Sequence, residues 1–437
     1  MKRNIFLLLL ASITFSNYSF SQSIQEYANN LLLNNRALRN AYIGICIYNP
    51  QQKEYLYNHN AFGYFSPASD TKLYTFFTGL TLLGDSTSGI QYQVHHDTIY
   101  IRGTGDPSLL HPDFKEQTVI RFLKNTHLHI AFTNPVYENN IFGPGWSWDD
   151  YNEEYQPERS AMPLYGNVAR FSVRDRRIQV MPEWFAEHHL LRRNWRMHVY
   201  SFYVRRAPQR NIFNYNVRIY HDSDPQEVPF IVNNGKVSAR LLADALHKPV
   251  YYEPDKKLPD GQWATVHNIP LDSLFRNMLY RSDNFYAEQT LQMCSMKLFD
   301  TISTHRMIRY ILEHPLSDLP NAPRWVDGSG LSRYNLFTPL DMVSVLNKIY
   351  EGFPHDRIYA MLPTGGEGTL KDLYHNMRGY IFAKTGSLMH VATLSGYLIT
   401  KKGHTLIFSV LVNNCISPLD DARVAVEDFL TKIWETQ

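Results

Sequence analysis

Ser66-Pro67-Ala68-Ser69-Asp70-Thr71-Lys72-Leu73 is the stretch on which the reading of this 437-residue chain turns. It opens an apolar run, 69–83, that reads as a helix. Residues three apart on a helix share a face, which puts Lys72 roughly 5–6 Å, Cβ to Cβ, from Ser69. A serine hydroxyl is a poor nucleophile until a base takes its proton, and a neutral lysine amine can do so. Alone the pattern is weak, since a chain of this length holds about one or two Ser-x-x-Lys matches by chance. Two later motifs change its weight. Ser282-Asp283-Asn284 lies in a segment where, alone, it reads as a helix cap. Lys384-Thr385-Gly386 ends the strand-like Tyr380-Ile381-Phe382-Ala383, where, alone, it reads as a charged sheet edge. Three such motifs in this order are poorly explained by coincidence.

Working outward, Ala41 to Tyr48 reads as a strand with Lys53 to Tyr57 as its hairpin partner. Residues 24–38 carry Leu31, Leu32, Leu33 and Leu38 among polar neighbours and read as an amphipathic helix. At the far end Thr393–Thr400 and Leu406–Asn413 are strand-like runs, followed by a helix from about Leu419 to Glu435. Both ends of the chain supply helix and strand. The expectation is one mixed α/β domain, an antiparallel sheet flanked by helices, built from 22–98 and 264–437. Between them, 99–263 is rich in short strand-like pieces, arginine pairs and proline turns, with one helix at Val237 to His247. It reads as a largely β insertion.

The 43 basic and 41 acidic side chains leave a net charge of +2, against a protein built to hold nucleic acid. Aromatic residues reach 14%, with 29 Tyr, and serve core packing or a carbohydrate- or peptide-binding surface. Lys2 and Arg3 precede the apolar Ile5–Phe15, and Ser19-Phe20-Ser21 follows. This is a secretory signal pattern, 1–21, with cleavage expected before Gln22. The run is short of the roughly 20 apolar residues of a membrane span, and no later segment reaches that length. Cys46, Cys294 and Cys415 are too few for a disulfide scaffold and lie in apolar contexts, as small hydrophobes do. His95-His96 and Glu187-His188-His189 do not make a metal motif, because adjacent side chains on a strand point to opposite sides. Neither metal nor cofactor is expected.

Several segments together resemble one family. They are Ser66–Leu73, Gly103-Thr104-Gly105-Asp106-Pro107-Ser108-Leu109, Gly145–Tyr151, Arg281–Glu288, Asp327-Gly328-Ser329-Gly330-Leu331-Ser332 and Ala383–Ser387. They look like the low-molecular-mass class C penicillin-binding proteins, D-alanyl-D-alanine carboxypeptidase/endopeptidases of the penicillin-binding-protein-4 type, from about residue 40 to 415. Ser282 comes 213 positions after Ser69, a separation that class C enzymes fill with inserted domains and class A β-lactamases do not. The resemblance implies a penicillin-binding transpeptidase/β-lactamase-like fold and a periplasmic peptidase acting on peptidoglycan peptides, trapped covalently by β-lactams. It implies Ser69 as nucleophile, Lys72 as acylation base and Ser282 as proton relay. Asn284 would bind the substrate backbone, and Lys384 with Thr385 the terminal carboxylate. In the Gly386-Ser387 segment, the N–H of Ser387 would join that of Ser69 in an oxyanion hole. Asp150 corresponds to an acid facing the substrate's diamino-acid side chain, or is a turn-stabilising Asp.

Two rival readings remain at this stage. One is a serine esterase or β-lactamase on the same domain. The other is a non-catalytic peptidoglycan binder or β-lactam sensor, for which the retained Ser69, Lys72 and Lys384 would be unnecessary.

Overall fold

The computed structural model describes residues 23–197, 199–216, 221–259 and 261–437. The signal-like segment therefore lies outside the described residues. The chain forms two compact units. Among the described residues, one comprises those up to Phe77, Arg276–Ser282 and Leu312–Gln437; the other comprises those within Thr78–Phe275 and Asp283–Ile311.

The first unit is built on a five-stranded antiparallel sheet. Its strands are β1 (Tyr42–Asn49), β2 (Glu54–His59), β3 (Ile381–Leu388), β4 (Val391–Ile399) and β5 (Thr405–Asn413), in spatial order β3-β4-β5-β1-β2. The N-terminal hairpin thus pairs with the C-terminal meander, Tyr42 opposite Asn413 and Ile45 opposite Val410. The helices flanking it include α1 (Lys72–Leu82), α2 (Pro339–Gly352) and α3 (Leu419–Thr436).

Both faces of this sheet are covered, so the central strands are apolar almost throughout instead of alternating. On one face Ile43, Ile45, Ile47, Leu394, Phe408 and Val410 join a core with Ala422, Ala425, Val426, Phe429, Leu430 and Ile433 of α3. These helix positions recur at spacings of three and four, the period that lines one side of an α-helix. On the other face Gly44 lets Pro339 at the start of α2 come close. A Cβ there would lie 2.7 Å from its ring and 2.5 Å from that of Phe65. The sequence-predicted helix at 24–38 is interrupted: Asn29–Leu33 widens into a π turn, and Arg36–Leu38 is a separate 3-10 turn capped by Asn35.

The second unit has a mixed five-stranded sheet. Its order is Val250–Tyr252, His129–Phe132, Thr98–Gly103, Ile90–His95, Ala264–Val266, accompanied by two three-stranded sheets. The expected helix near 237 runs from Lys236 to Leu246. Helix Asn284–Phe299 is capped by Asp283, whose side chain accepts from Tyr286 N, and is buried from Phe285 to Met296. Inside it Glu288 pairs with Arg159 at 3.2 Å, both side chains almost fully enclosed. All three cysteines are buried free thiols. No helix among the described residues is long and apolar enough to cross a membrane.

Because Phe429 is fully buried between α3 and the sheet, Phe429→Ala should lower the stability of the folded protein by about 3–5 kcal/mol, the usual range for a deleted core phenyl ring. Urea denaturation followed by tryptophan fluorescence measures it. A change below about 1 kcal/mol would mean that α3 is not anchored as described.

Candidate active site

Ser69 lies in the 3-10 turn Ala68–Thr71, and Lys72 is the first residue of α1. With three residues per turn, side chains at i and i+3 eclipse. The motif spacing therefore brings the amine directly to the hydroxyl: Lys72 Nζ to Ser69 Oγ is 3.0 Å. Ala68 holds the approach to this turn in a left-handed conformation, φ 47°, a strained setting for a residue with a Cβ. Contacts from far along the chain hold it there.

One such contact is the loop after Trp325. Asp327 gathers it, accepting from Gly330 N at 2.9 Å, Ser332 N at 2.7 Å and Asn335 Nδ2 at 2.7 Å. The loop's backbone carbonyls then face α1. Ser329 O accepts from Lys72 Nζ at 2.8 Å, and Gly328 O from Thr75 Oγ1 at 2.6 Å. Gly330, φ 82°, is pressed so closely on the Ser69 turn that a Cβ would stand 1.8 Å from Ala68 O. Only glycine suits both the torsion and the approach.

The other contact is strand β3. A Cβ on Gly386 would lie 2.7 Å from Pro67 O and 3.0 Å from Ser69 N, so the absent side chain lets the strand lie against the serine turn. In register across the sheet, Lys384 stands opposite Ser395, Ser395 opposite Ser409, and Ser409 opposite Cys46. This makes one polar row on the face turned away from α3. Ser395 Oγ donates to Asp70 Oδ2 at 2.7 Å and contacts Ser409 Oγ at 2.9 Å. Lys384 Nζ donates to Ser282 Oγ at 2.9 Å and also to the carbonyl of Thr385. Ser282 itself has φ 59°, a second strained residue at the same place.

Lys72, Lys384 and Asp70 are all completely buried. Burial pushes the Lys384 ammonium well below the ordinary lysine value, the nearby charge of Lys72 adds to this, and Asp70 opposes it. Burial pushes the Asp70 carboxyl up, against the pull of Lys384 and of the Ser395 hydroxyl. Loss of solvation disfavours whichever form is charged, so the two groups move toward each other.

In the first unit, then, Ser69, Lys72, Ser282, Lys384, Thr385, Gly386 and Ser387 come together. Ser69, Ser282, Thr385 and Ser387 line one cleft of about 550 Å³ together with Thr369, Asp372, Asp420 and Arg423. Asn284 and Asp150 belong to the second unit. There Asn284 Nδ2 donates to Tyr155 O at 3.1 Å, and Asp150 lies half-buried in the 3-10 turn Trp148–Asn152. The sequence reading gave no role to Asp70, Ser395, the Ser329 carbonyl or Arg423. Asp70 lay inside the first motif, but its partner is 325 positions away.

A serine paired with a buried lysine at a helix start, facing a second serine–lysine pair on the sheet edge, defines an active-site-serine hydrolase of the penicillin-interacting kind. The family model described as "D-Ala-D-Ala carboxypeptidase 3 (S13) family" matches residues 25–432. The chain belongs to this family and is a serine-type D-Ala-D-Ala carboxypeptidase. It is 24% identical over 439 residues to penicillin-sensitive carboxypeptidase A of Dictyostelium discoideum, covering 84% of this chain and 82% of that one. It is 23% identical to D-alanyl-D-alanine carboxypeptidase DacB of Haemophilus influenzae, with 85% of each chain covered. Among solved structures, penicillin-binding protein 4 from Haemophilus influenzae aligns over 94% of this chain and 98% of its own, with a TM-score of 0.72 at 18% identity. That likeness bears on the fold.

The Lys384 amine should titrate below the ordinary lysine value of about 10.4. In Asp70→Asn it should titrate lower still, because the lost carboxylate favours the ammonium once ionised. The NMR shift of the labelled ε-carbon against pH, assigned by its loss in Lys384→Gln, measures both. Titration at or above the ordinary value would contradict the burial argument.

Proposed function

We propose that the protein cleaves the D-Ala–D-Ala bond of peptidoglycan stem peptides and cross-links through an acyl-enzyme on Ser69, and that β-lactams trap the same serine. The observation that carries this reading is the fully buried Lys72 amine 3.0 Å from the Ser69 hydroxyl. A candidate base must first be within hydrogen-bond reach of the proton it takes.

In the first half-reaction Ser69 Oγ adds to the scissile carbonyl carbon while its proton passes to neutral Lys72. The carbonyl oxygen becomes an oxyanion held by the backbone N–H groups of Ser69 and Ser387, a contribution of about 3–4 kcal/mol per donor in comparable enzymes. The C–N bond then breaks. The departing amine takes a proton through Ser282, which receives one from Lys72 in return. This leaves an ester on Ser69 and a free D-alanine or amino donor. Water repeats the sequence, restoring Ser69 and releasing the shortened peptide. Strain at Ser282 and its bond to Lys384 hold the relay hydroxyl in one orientation, which supports that role.

On this reading 22–98 and 264–437 carry the chemistry, and 99–263 is an insertion. Lys384 and Thr385 take the terminal carboxylate, Asn284 the peptide backbone, and Asp150 the diamino-acid side chain. Residues 1–21 act as an export signal removed before Gln22, delivering the enzyme to the periplasm, where its substrate lies.

Two variants test the mechanism. Ser69→Ala should abolish covalent labelling by a fluorescent penicillin while circular dichroism stays native, and labelling that persists would remove Ser69 as nucleophile. Lys72→Arg keeps the charge but offers no neutral amine, so acylation should slow by at least about 10². A near-wild-type rate would assign the base elsewhere.

A further inference from the structure

Thr385 and Ser387 share the face of β3 turned toward α3, since Thr385 stands in register with Leu394 and that residue with Val410 and Ile45 of the α3-facing core. The outward side of α3 brings one basic residue to this spot. Arg423 Nη2 donates to Ser387 Oγ at 2.9 Å, and Arg423 lines the same cleft as Ser69, Thr385 and Ser387. Its other nitrogen, Nη1, meets Asp420 Oδ1 at 2.5 Å, one turn earlier on the helix. Asp420 is 84% exposed, and exposed i,i+3 pairs bind weakly, so this contact leaves the guanidinium available to an incoming anion.

Lys384, the other cation of the site, can act on a substrate carboxylate only as a charge from beneath the strand. Its amine already serves Ser282 Oγ and the Thr385 carbonyl, and it is fully enclosed. Among the described residues that line the cleft, Arg423 is the basic one. A guanidinium keeps its charge at any pH the enzyme meets and presents N–H groups in a fork matched to a carboxylate. In a substrate ending in D-Ala-D-Ala the carboxylate stands one residue beyond the bond attacked, a Cα step of about 3.8 Å. Alternate side chains on a strand are about 6.6–6.8 Å apart, so an anion seated between Thr385 and Ser387 comes within reach of Arg423.

We propose that Arg423, carried by the C-terminal helix, is a specificity-determining residue that reads the free C-terminal carboxylate of the peptide, with Thr385 and Ser387 as neutral partners. This rests on the reading of Ser69 as the acylated residue.

The test compares kcat/KM for a tripeptide ending in D-Ala-D-Ala with that for its C-terminal amide, in the wild type, Arg423→Gln and Arg423→Lys. Wild type should prefer the acid by about ten- to a hundredfold. Arg423→Gln should cut that ratio at least about fivefold, and Arg423→Lys should restore part of it. A ratio unchanged in Arg423→Gln overturns the proposal, as does an equal fall for acid and amide, which marks a structural role. A wild type with no preference for the acid overturns it too. Penicillin labelling of the wild type, lost in Ser69→Ala, reports on the underlying site separately, so an intact label with an unchanged ratio refutes the role of Arg423 alone.

Discussion

Two lysine side chains are enclosed beneath one edge of a β-sheet, and the first unit is organised around making that tolerable. Removing an ammonium from water costs several kcal/mol even after the surroundings relax. The compensation is local and specific. Lys72 has the Ser69 hydroxyl and the Ser329 carbonyl; Lys384 has the Ser282 hydroxyl and the Thr385 carbonyl. The carboxyl of Asp70, tied to Ser395, is the counter-charge that interacts with both. Each acceptor comes from a different part of the chain. The Asp327 loop, the polar row on the sheet and the two glycines that allow close approach can be understood as what holds those acceptors in place. The same enclosure pushes the Lys384 ammonium below the ordinary lysine value.

Much of this was legible beforehand, and the reason is that the legible parts are local. Ser69 and Lys72 are one turn apart, so their contact follows from spacing. The central strands announce themselves as apolar runs, and α3 by its three- and four-residue repeat. A sheet made from both chain ends followed from finding strands at each. What was not legible depends on register. Nothing near Asp70 says that Ser395 will stand over it; that follows from which residue of β4 faces Lys384, a detail one residue of slippage would invert. Arg423 was invisible for a related reason. On a helical wheel it is an ordinary polar position, and its meaning comes only from the strand end it lies beside.

The helical stripe at 24–38 is broken for a physical reason as well. Leucines at 31, 32, 33 and 38 fit a helical stripe, but the asparagines around them compete for backbone hydrogen bonds. Asn35 takes Ala37 N with its side chain and restarts the chain as a 3-10 turn. Burial of Leu32 and Leu38 is kept, while the continuous helix is not.

The pairing of β1 with β5 also orders events in time. Tyr42 finds its partner at Asn413, so the sheet cannot close until Asn413 has been made, and contacts so distant in sequence are slow to form. The second unit is mostly one continuous stretch, Thr78–Phe275, and can condense earlier during synthesis, as domains generally fold as units. The serine–lysine pair, although local, gains its carbonyl supports from the loop at 328–330 and the close approach of Gly386 later still, with β3. A chain cut short before β5 would carry all three motifs and still lack the strand that joins β4 to β1, so possession of the motifs does not by itself complete the sheet that seats them.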